Sequence, residues 1–316
     1  MFKNLEYIST KDMSHDQWLA ERRKSIGGSD AAAILGLNEY TSAYALWAEK
    51  TGKAIPDDLT DNEAVRLGSD LESYAAERFT EATGKKVRKV NYIIKNPDLP
   101  FAHANVDRFV VGENAGLELK TTSSWEIAQQ CRNGEYPPRY YTQCCHYLMV
   151  TGAEKWYLGV LCFGVGFFHF VIQRNDAEIK ALAAAERAFW QNVTENTAPA
   201  IDGTEASTAA LKTIYPDSDP GMSLDLSMCA AEIETWKALD QQIEELEKLK
   251  AEKENRIKDF MGPAEKGTYG NVSVTWKTSS RKTFDKKRYE AAMGQIPDAY
   301  YNTSSTRTFR VTVKGA

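Results

Sequence analysis

The stretch Gly116–Trp125, GLELKTTSSW, alternates Leu117 and Leu119 with Glu118 and Lys120. Side chains alternate across a strand, so the leucines face a core and the other face carries a carboxylate beside an amine. Asp107, in HANVDRFVV, is separated from Glu118 by ten residues, enough for a hairpin that sets the two carboxylates opposite each other. Two carboxylates suit a hard cation such as magnesium, which prefers oxygen ligands. An amine beside them could orient or deprotonate an attacking water, or offset negative charge developing on a phosphate. An isolated Glu-x-Lys is more often a half-buried strand with an exposed ion pair, so the rest of the chain has to decide.

Other segments carry chemistry of a matching kind. WLAERRKSIGGSDAAAILG spaces Trp18, Arg22, Ile26 and Ser29 ahead of a short helix, with Ser29 read as its N-cap, Asp30 in its first turn and Gly36 at its C-terminal end. A Gly-Gly turn feeding a helix start exposes backbone N–H groups to an anion. Ser29 either caps this helix or donates to a phosphate, and Arg22 could clamp the same phosphate. In RLGSDLE, Gly68 lies one turn before Glu72 and clears space on the carboxylate's face. A lone helical Glu is ordinarily solvated surface. In PPRYYTQCCHYLMVTG, Gln143 and Tyr147 share a helical face at i and i+4. His103 has the strand phase of Asp107; a structural or DNA-contact role suits it better than metal ligation. Arg108, next to Asp107, either crowds the site or touches DNA.

These residues must be positioned by both helices and hairpins. The pattern predicts a helix over NEAVRLGSDLESYAAERFTEATG with Leu67, Leu71, Tyr74 or Ala75, and Phe79 on its apolar stripe. Strands follow near 87–94 and 104–111, and GENAG at 112–116 turns the second into the Glu118 strand. The helix beginning at the Pro-Pro pair leads to a second hairpin, WYLGVLCFG and GFFHFVIQR, and a helix over about 176–196. Residues 197–228 read as a polar connector. A long helix then carries Ile233, Trp236, Leu239, Ile243, Leu246, Ile257 and Phe260 in a near-heptad stripe interrupted by Lys250 and Lys253. It is read as packing on the body, with a coiled-coil partner as the alternative. GNVSVTWKTS and TRTFRVTVKG alternate like strands. The expected fold is α/β: a mixed central sheet flanked by helices. Residues 1–200 form the core, and 201–316 a C-terminal extension of connector, long helix and basic β segment packing on it.

Composition excludes several classes. The chain has 316 residues, 42% hydrophobic and 26% charged, as a folded protein of one large or two modest domains would. No apolar run is long enough for a bilayer, and the N-terminus lacks the apolar stretch of a signal peptide. Five cysteines without C-x-x-C spacing argue against a zinc site and for a reducing cytoplasm; Cys131, Cys144, Cys145 and Cys162 read as core thiols. The net charge of −5 does not advertise nucleic-acid binding, but residues 266–316 hold ten Lys/Arg against three Asp/Glu. A locally basic surface on an acidic body is compatible with a DNA enzyme, and equally with solvated faces.

Taken in order, RRKSIGGSDAAAILG, RLGSDLE, NVDRFV, GLELKTTSSW and PPRYYTQCCHYLMVTG resemble the YqaJ-type viral recombinases, relatives of phage lambda-type alkaline exonuclease within the PD-(D/E)xK nucleases. The resemblance covers about residues 15–200. It implies a restriction-endonuclease-like core and an exonuclease dependent on two Mg2+ ions, with Mn2+ able to substitute, that degrades one strand of linear duplex DNA from its 5′ end. The 3′ overhang would pass to a single-strand annealing protein for recombination. It further implies a homotrimeric ring and a phage or prophage protein in a bacterial cytoplasm. By position, Asp107 and Glu118 match metal-binding carboxylates, the Leu119 carbonyl a further ligand, and Lys120 the catalytic lysine. Glu72 matches a glutamate contacting a metal or its water, and Gln143 a glutamine holding the site. Arg22 and Ser29, with Tyr147, match the surroundings of the 5′-phosphate. NVDRF departs from the family's usual small or proline residue before the Asp and glycine after it. A different nuclease of the same core (an endonuclease or 3′ exonuclease) and a non-catalytic DNA-binding scaffold are the alternatives.

Overall fold

The computed structural model describes residues 2–55, 61–302 and 307–312. The chain divides into two compact units, residues 1–216 and 217–316. The first contains β1 (Glu6–Ser9), α1 (His15–Arg23), α2 (Gly28–Ile34), α3 (Ala43–Lys50), α4 (Glu63–Thr83), β2 (Val87–Lys89), β3 (Tyr92–Lys95), β4 (His103–Asn105), β5 (Arg108–Val110) and β6 (Gly116–Thr122). It continues through α5 (Trp125–Arg132), α6 (Pro138–Thr151), β7 (Lys155–Cys162), β8 (Gly166–Gln173), α7 (Asp176–Thr194) and α8 (Glu205–Ile214).

The central sheet has the order β2-β5-β6-β7-β8. Its β6–β7 pair is parallel, and the other pairs are antiparallel. The fold is a mixed α/β one with a mixed sheet flanked by helices, as the patterning predicts. Leu117, on one face of β6, joins Phe79 of α4, Val110 and Tyr157 in an apolar cluster, with Leu119 packed against it. The opposite face carries Trp156, Leu158 and Val160 of β7 into the main core, which α6 covers with Leu148 and Tyr147. Glu118 and Lys120 pair with Leu158 and Val160, so they lie on this covered face. Their face is therefore not a solvent face: Glu118 is only 3% exposed.

Both strands expected near 87–94 and 104–111 are split. β2 and β5 pair in the central sheet, while β3 and β4 pair with each other and with β1 in a separate sheet. The chain crosses between sheets at Val106–Asp107, where Val90 N–H donates to the Asp107 carbonyl at 3.3 Å. α4 begins at its Asn62 cap and ends at Gly84, whose φ of 71° stops the helix. Along its stripe Ala75 is buried and Tyr74 exposed, which settles that choice. The four expected core thiols are buried and free, and Cys229 is exposed.

The connector read at 197–228 contains a helix. α8 starts at Thr204, whose side chain accepts from Ser207 N–H, and the Ser207 hydroxyl lies 2.8 Å from that of Ser42 at the start of α3. In the second unit, α9 (Ala230–Met261) is one continuous helix, followed by the hairpin β9 (Lys266–Tyr269) and β10 (Val272–Thr275) and by α10 (Lys286–Met293). No strand forms over residues 307–312, so the strand expected at 306–315 is not seen there; its remaining positions lie outside the described residues. Among the described residues no helix is long and apolar enough to cross a membrane.

Candidate active site

The β5–β6 register pairs Arg108 with Leu117 and Phe109 with Gly116, so one further step sets Asp107 across from Glu118. Released from strand pairing at the sheet crossing, Asp107 turns its carboxylate onto β6, where Oδ2 accepts from Leu119 N–H at 2.8 Å. Lys120, two residues beyond Glu118 and on the same face, places Nζ 2.7 Å from Glu118 Oε1. Its ammonium also stands 5.5 Å over the Tyr140 ring. α6 brings Gln143 onto the same carboxylate: Nε2 donates to Glu118 Oε1 and to the Tyr147 hydroxyl, each at 2.8 Å. Glu118 Oε1 thus receives two donors, while Oε2 is buried with no hydrogen-bond partner.

Burial, then the neighbouring Glu118, drives the Asp107 pKa well above the usual carboxylate value, against the pull of Leu119 N–H. Burial also works against the Lys120 ammonium, but Glu118 and Asp107 outweigh it and hold its pKa above the usual lysine value. Two close carboxylates in a water-poor setting repel each other, and one lysine compensates only part of their charge. The donor set fits a hard divalent cation: Asp107, the unpartnered Glu118 Oε2 and the main chain at Leu119 are all oxygen ligands. Among the described residues no three His, Cys, Asp or Glu side chains gather closely enough to form such a site alone, so main-chain oxygens or water would complete it.

These groups floor a cavity of about 920 Å³ whose lining includes Glu72, Asp107, Glu118, Lys120, Arg139 and Tyr140. Glu72 reaches it from α4, with Gly68 one turn earlier; a Cβ on Gly68 would stand 3.3 Å from Thr121 Oγ1. The Glu72 carboxylate is bound by Arg108 Nη1 and lies 3.9 Å from Lys89 Nζ. Arg108 therefore neither crowds the carboxylates nor waits for DNA. Strand alternation turns it to the face opposite Asp107, where it is buried under α4.

Arg22 and Ser29 come together as expected, Arg22 Nη2 donating to Ser29 Oγ at 2.9 Å, with the guanidinium 4.5 Å from the Trp18 ring centroid. They do not line the cavity. Ser29 is not the cap of α2. Gly27 holds that position, and Asp30 Oδ2 accepts from Gly27 N–H at 2.9 Å, because the helix starts two residues earlier than expected. Tyr147, expected near the phosphate, is buried against Gly28 and supports Gln143. His103 is buried, its Nδ1 2.8 Å from Ser25 Oγ, and burial lowers its pKa to about 3, in keeping with a structural role.

Sequence reasoning missed Tyr140 beneath Lys120, and Lys50, whose Nζ pairs with Asp30 at 2.7 Å and donates to the carbonyls of Arg22 and Ser25. Tyr140 lies three residues before Gln143 and so shares its helical face, a signal that was available. Lys50 carries no local signal, since its partners come from distant turns.

The YqaJ-like viral recombinase domain profile matches residues 17–154, a span that holds every candidate residue above. The uncharacterized protein YqaJ of Bacillus subtilis (strain 168) is 40% identical over 303 residues, covering 95% of this chain and 93% of that protein. The chain belongs to the YqaJ-like viral recombinase family. Among solved structures, the alkaline exonuclease LHK-Exo from Laribacter hongkongensis aligns with a TM-score of 0.49 at 23% identity, over 58% of this recombinase-family chain and 94% of that one. A phage related exonuclease from Haemophilus somnus 129PT aligns with a TM-score of 0.38 at 14% identity, over 54% and 96%.

Proposed function

We propose that this chain is a Mg2+-dependent exonuclease that shortens linear duplex DNA in the 5′→3′ direction and leaves 3′ single strands for a strand-annealing protein. The observation that carries the reading is the buried Asp107–Glu118 pair, with Glu118 Oε2 unsatisfied and Lys120 beside it at the floor of a cavity. A structural ion pair needs one carboxylate for one lysine; a second, pressed against the first at an energetic cost, points to a cation ligand set.

Asp107 and Glu118, with the Leu119 carbonyl, would hold the metal, two ions or one, with Mn2+ able to replace Mg2+. Bound there, the metal supplies Lewis-acid polarisation of a phosphodiester and an acidified water. The protein's own residues do the positioning. Gln143 fixes Glu118 by occupying Oε1, which leaves Oε2 as the free ligand atom. Lys120, held as an ammonium by the two carboxylates, stands where it can offset negative charge on the phosphate oxygens. Glu72, steered by Arg108, lines the wall, where it can order water. Arg22 with Ser29 takes the 5′-phosphate and so selects ends. Basic residues at 281–288 follow the duplex backbone, which makes binding strongly salt-dependent. A ring of three copies around the duplex completes this reading.

The test is digestion of linear duplex labelled at its 5′ or 3′ end, with Mg2+, for wild type and Lys120→Ala. Early release of the 5′ label by wild type alone supports the proposal. Early 3′ release, or internal cuts, would make it a different nuclease. No cleavage with DNA still bound would make it a scaffold.

A further inference from the structure

On α9, Trp236, Leu239, Ile243, Leu246, Ile257 and Phe260 recur at alternating steps of three and four, with Lys250 and Lys253 keeping the same phase between Leu246 and Ile257. The six apolar side chains are all exposed, from 38% at Trp236 to 93% at Phe260. A 3.5-residue repeat kept over this length drifts slowly around a straight helix and is the seam of a left-handed two-helix coiled coil.

Charge selects the occupant and its direction. A parallel copy would stack Lys250 on Lys250 and Lys253 on Lys253 inside the seam, repelling in both layers. An antiparallel copy centred on Lys248 pairs Trp236 with Phe260, Leu239 with Ile257, Ile243 with Lys253 and Leu246 with Lys250. Every seam position then meets a seam position of the other copy, and no lysine meets a lysine. Asp240, Glu247 and Glu254 form an acidic row directly after the seam residues Leu239, Leu246 and Lys253. In the antiparallel register this row faces its own counterpart, Asp240 near Glu254 and Glu247 near Glu247, and the seam ammonium groups, whose stems can cross the apolar seam, lie between these carboxylates and offset their repulsion. The two halves of the helix also complement each other. Residues 230–247 hold six acidic residues and one lysine, and residues 248–261 hold five basic and three acidic. Antiparallel pairing lays the acidic half against the basic half.

We propose that α9 is a dimerisation element that pairs antiparallel with α9 of a second copy of this chain. The two seam lysines set the direction and the two-fold register.

The test uses the full-length protein. Sedimentation mass is expected to halve in Leu239→Glu/Ile257→Glu, whether the rest of the chain is monomeric or trimeric, with helix content by circular dichroism unchanged. Lys250→Leu/Lys253→Leu removes the buried charges and is expected to tighten self-association at least about tenfold. Direction is read by cross-linking. Leu249→Cys in a Cys229→Ser background lies beside the two-fold and is expected to give a covalent dimer with a short bismaleimide. The native Cys229 is expected to give none, because antiparallel copies hold it about 57 Å apart at 1.5 Å per residue. A wild-type mass equal to that of the Glu variant would overturn the proposal. Cross-linking through Cys229 and not through position 249 would overturn the antiparallel direction.

Discussion

Gly28 is a close contact between α2, which carries Ser29, and α6, which carries Gln143. A Cβ added at Gly28 would stand 2.6 and 2.8 Å from Cε1 and Cζ of Tyr147 and 3.1 Å from Cγ of Gln143. Tyr147 has nowhere to go: it is 3% exposed, and its ring lies 5.1 Å from that of Trp156, which is fully buried. In Gly28→Ala either α2 or α6 must shift. Overpacking a close-packed contact costs about 1–3 kcal/mol. At about 2–4 °C per kcal/mol for a unit of this size, Tm is expected to fall by about 2–12 °C. The same shift moves Gln143 off Glu118. A hydrogen bond to a charged group contributes about 1.5–3 kcal/mol, so losing it in the reacting state would cost about 10- to 150-fold in kcat. Scanning fluorimetry and the end-label assay read the two effects. Gly203→Ala is the control, since nothing stands within 4 Å of its added Cβ, and it is expected to stay within about 0.5 kcal/mol of wild type. A Gly28→Ala protein with wild-type Tm and rate would refute the packing argument and the role of Gln143 together.

Asp107→Asn keeps an acceptor for Leu119 N–H but removes a carboxylate that burial and Glu118 disfavour. Its folded pKa is raised, so wild-type stability falls as pH climbs from the ordinary Asp value of about 4 through the folded value. The Asn protein is expected to lose that slope, to melt higher than wild type in EDTA at pH 7, and to show no Tm gain with Mg2+. An undiminished Mg2+ shift would sink the ligand assignment. Arg22→Ala is expected to reduce the preference for 5′-phosphorylated over unphosphorylated ends; equal losses on both would make Arg22 structural. His103 is held neutral, its pKa lowered to about 3 by burial. Its contribution is therefore complete above about pH 6.5 and is lost as pH falls toward 3, by up to about 1.4 kcal/mol per unit. Tm measured between pH 4 and 7 is expected to fall less steeply in His103→Gln than in wild type.

What could be read from the sequence followed the range of the forces involved. The Glu118 strand, its hairpin to the Asp107 segment, the second hairpin and the Pro138 helix rest on period-two patterning and local turn chemistry, and each forms. The leucines do face one apolar cluster. The other face is covered because α6, from outside the local window, lies over it. The splits at Val90–Asn91 and Val106–Asp107 were not legible, since no Gly or Pro marks them and only pairing with β1 pulls β3 and β4 into a second sheet. α8 was hidden in a polar composition and is held by its Thr204 cap and by the Ser42–Ser207 contact across the chain. The Arg108–Glu72 pairing was within reach, because alternation alone sends Arg108 to the face away from Asp107. The Lys50–Asp30 pair was not, being purely tertiary.

The charge balance of the floor also orders events. Once Asp107 is ionised, it and Glu118 bring two negative charges and Lys120 one positive, while Glu72 is matched by Arg108. A phosphodiester arriving at this floor meets a net negative charge in a setting that screens it poorly. On the proposed function, a divalent cation held by the two carboxylates reverses the sign and makes its approach favourable. Duplex ends are therefore expected to bind weakly in EDTA and at least about tenfold more tightly with Ca2+, which fits hard oxygen ligands and permits binding without rapid cleavage. At a pH where Asp107 is ionised in wild type, Asp107→Asn, with one carboxylate gone, is expected to bind DNA better than wild type in EDTA and to gain little from Ca2+. Fluorescence anisotropy with a labelled duplex measures both. Equal affinity for wild type with and without Ca2+ would mean that the phosphate does not reach the floor, and that Lys120 is a partner for Glu118 alone.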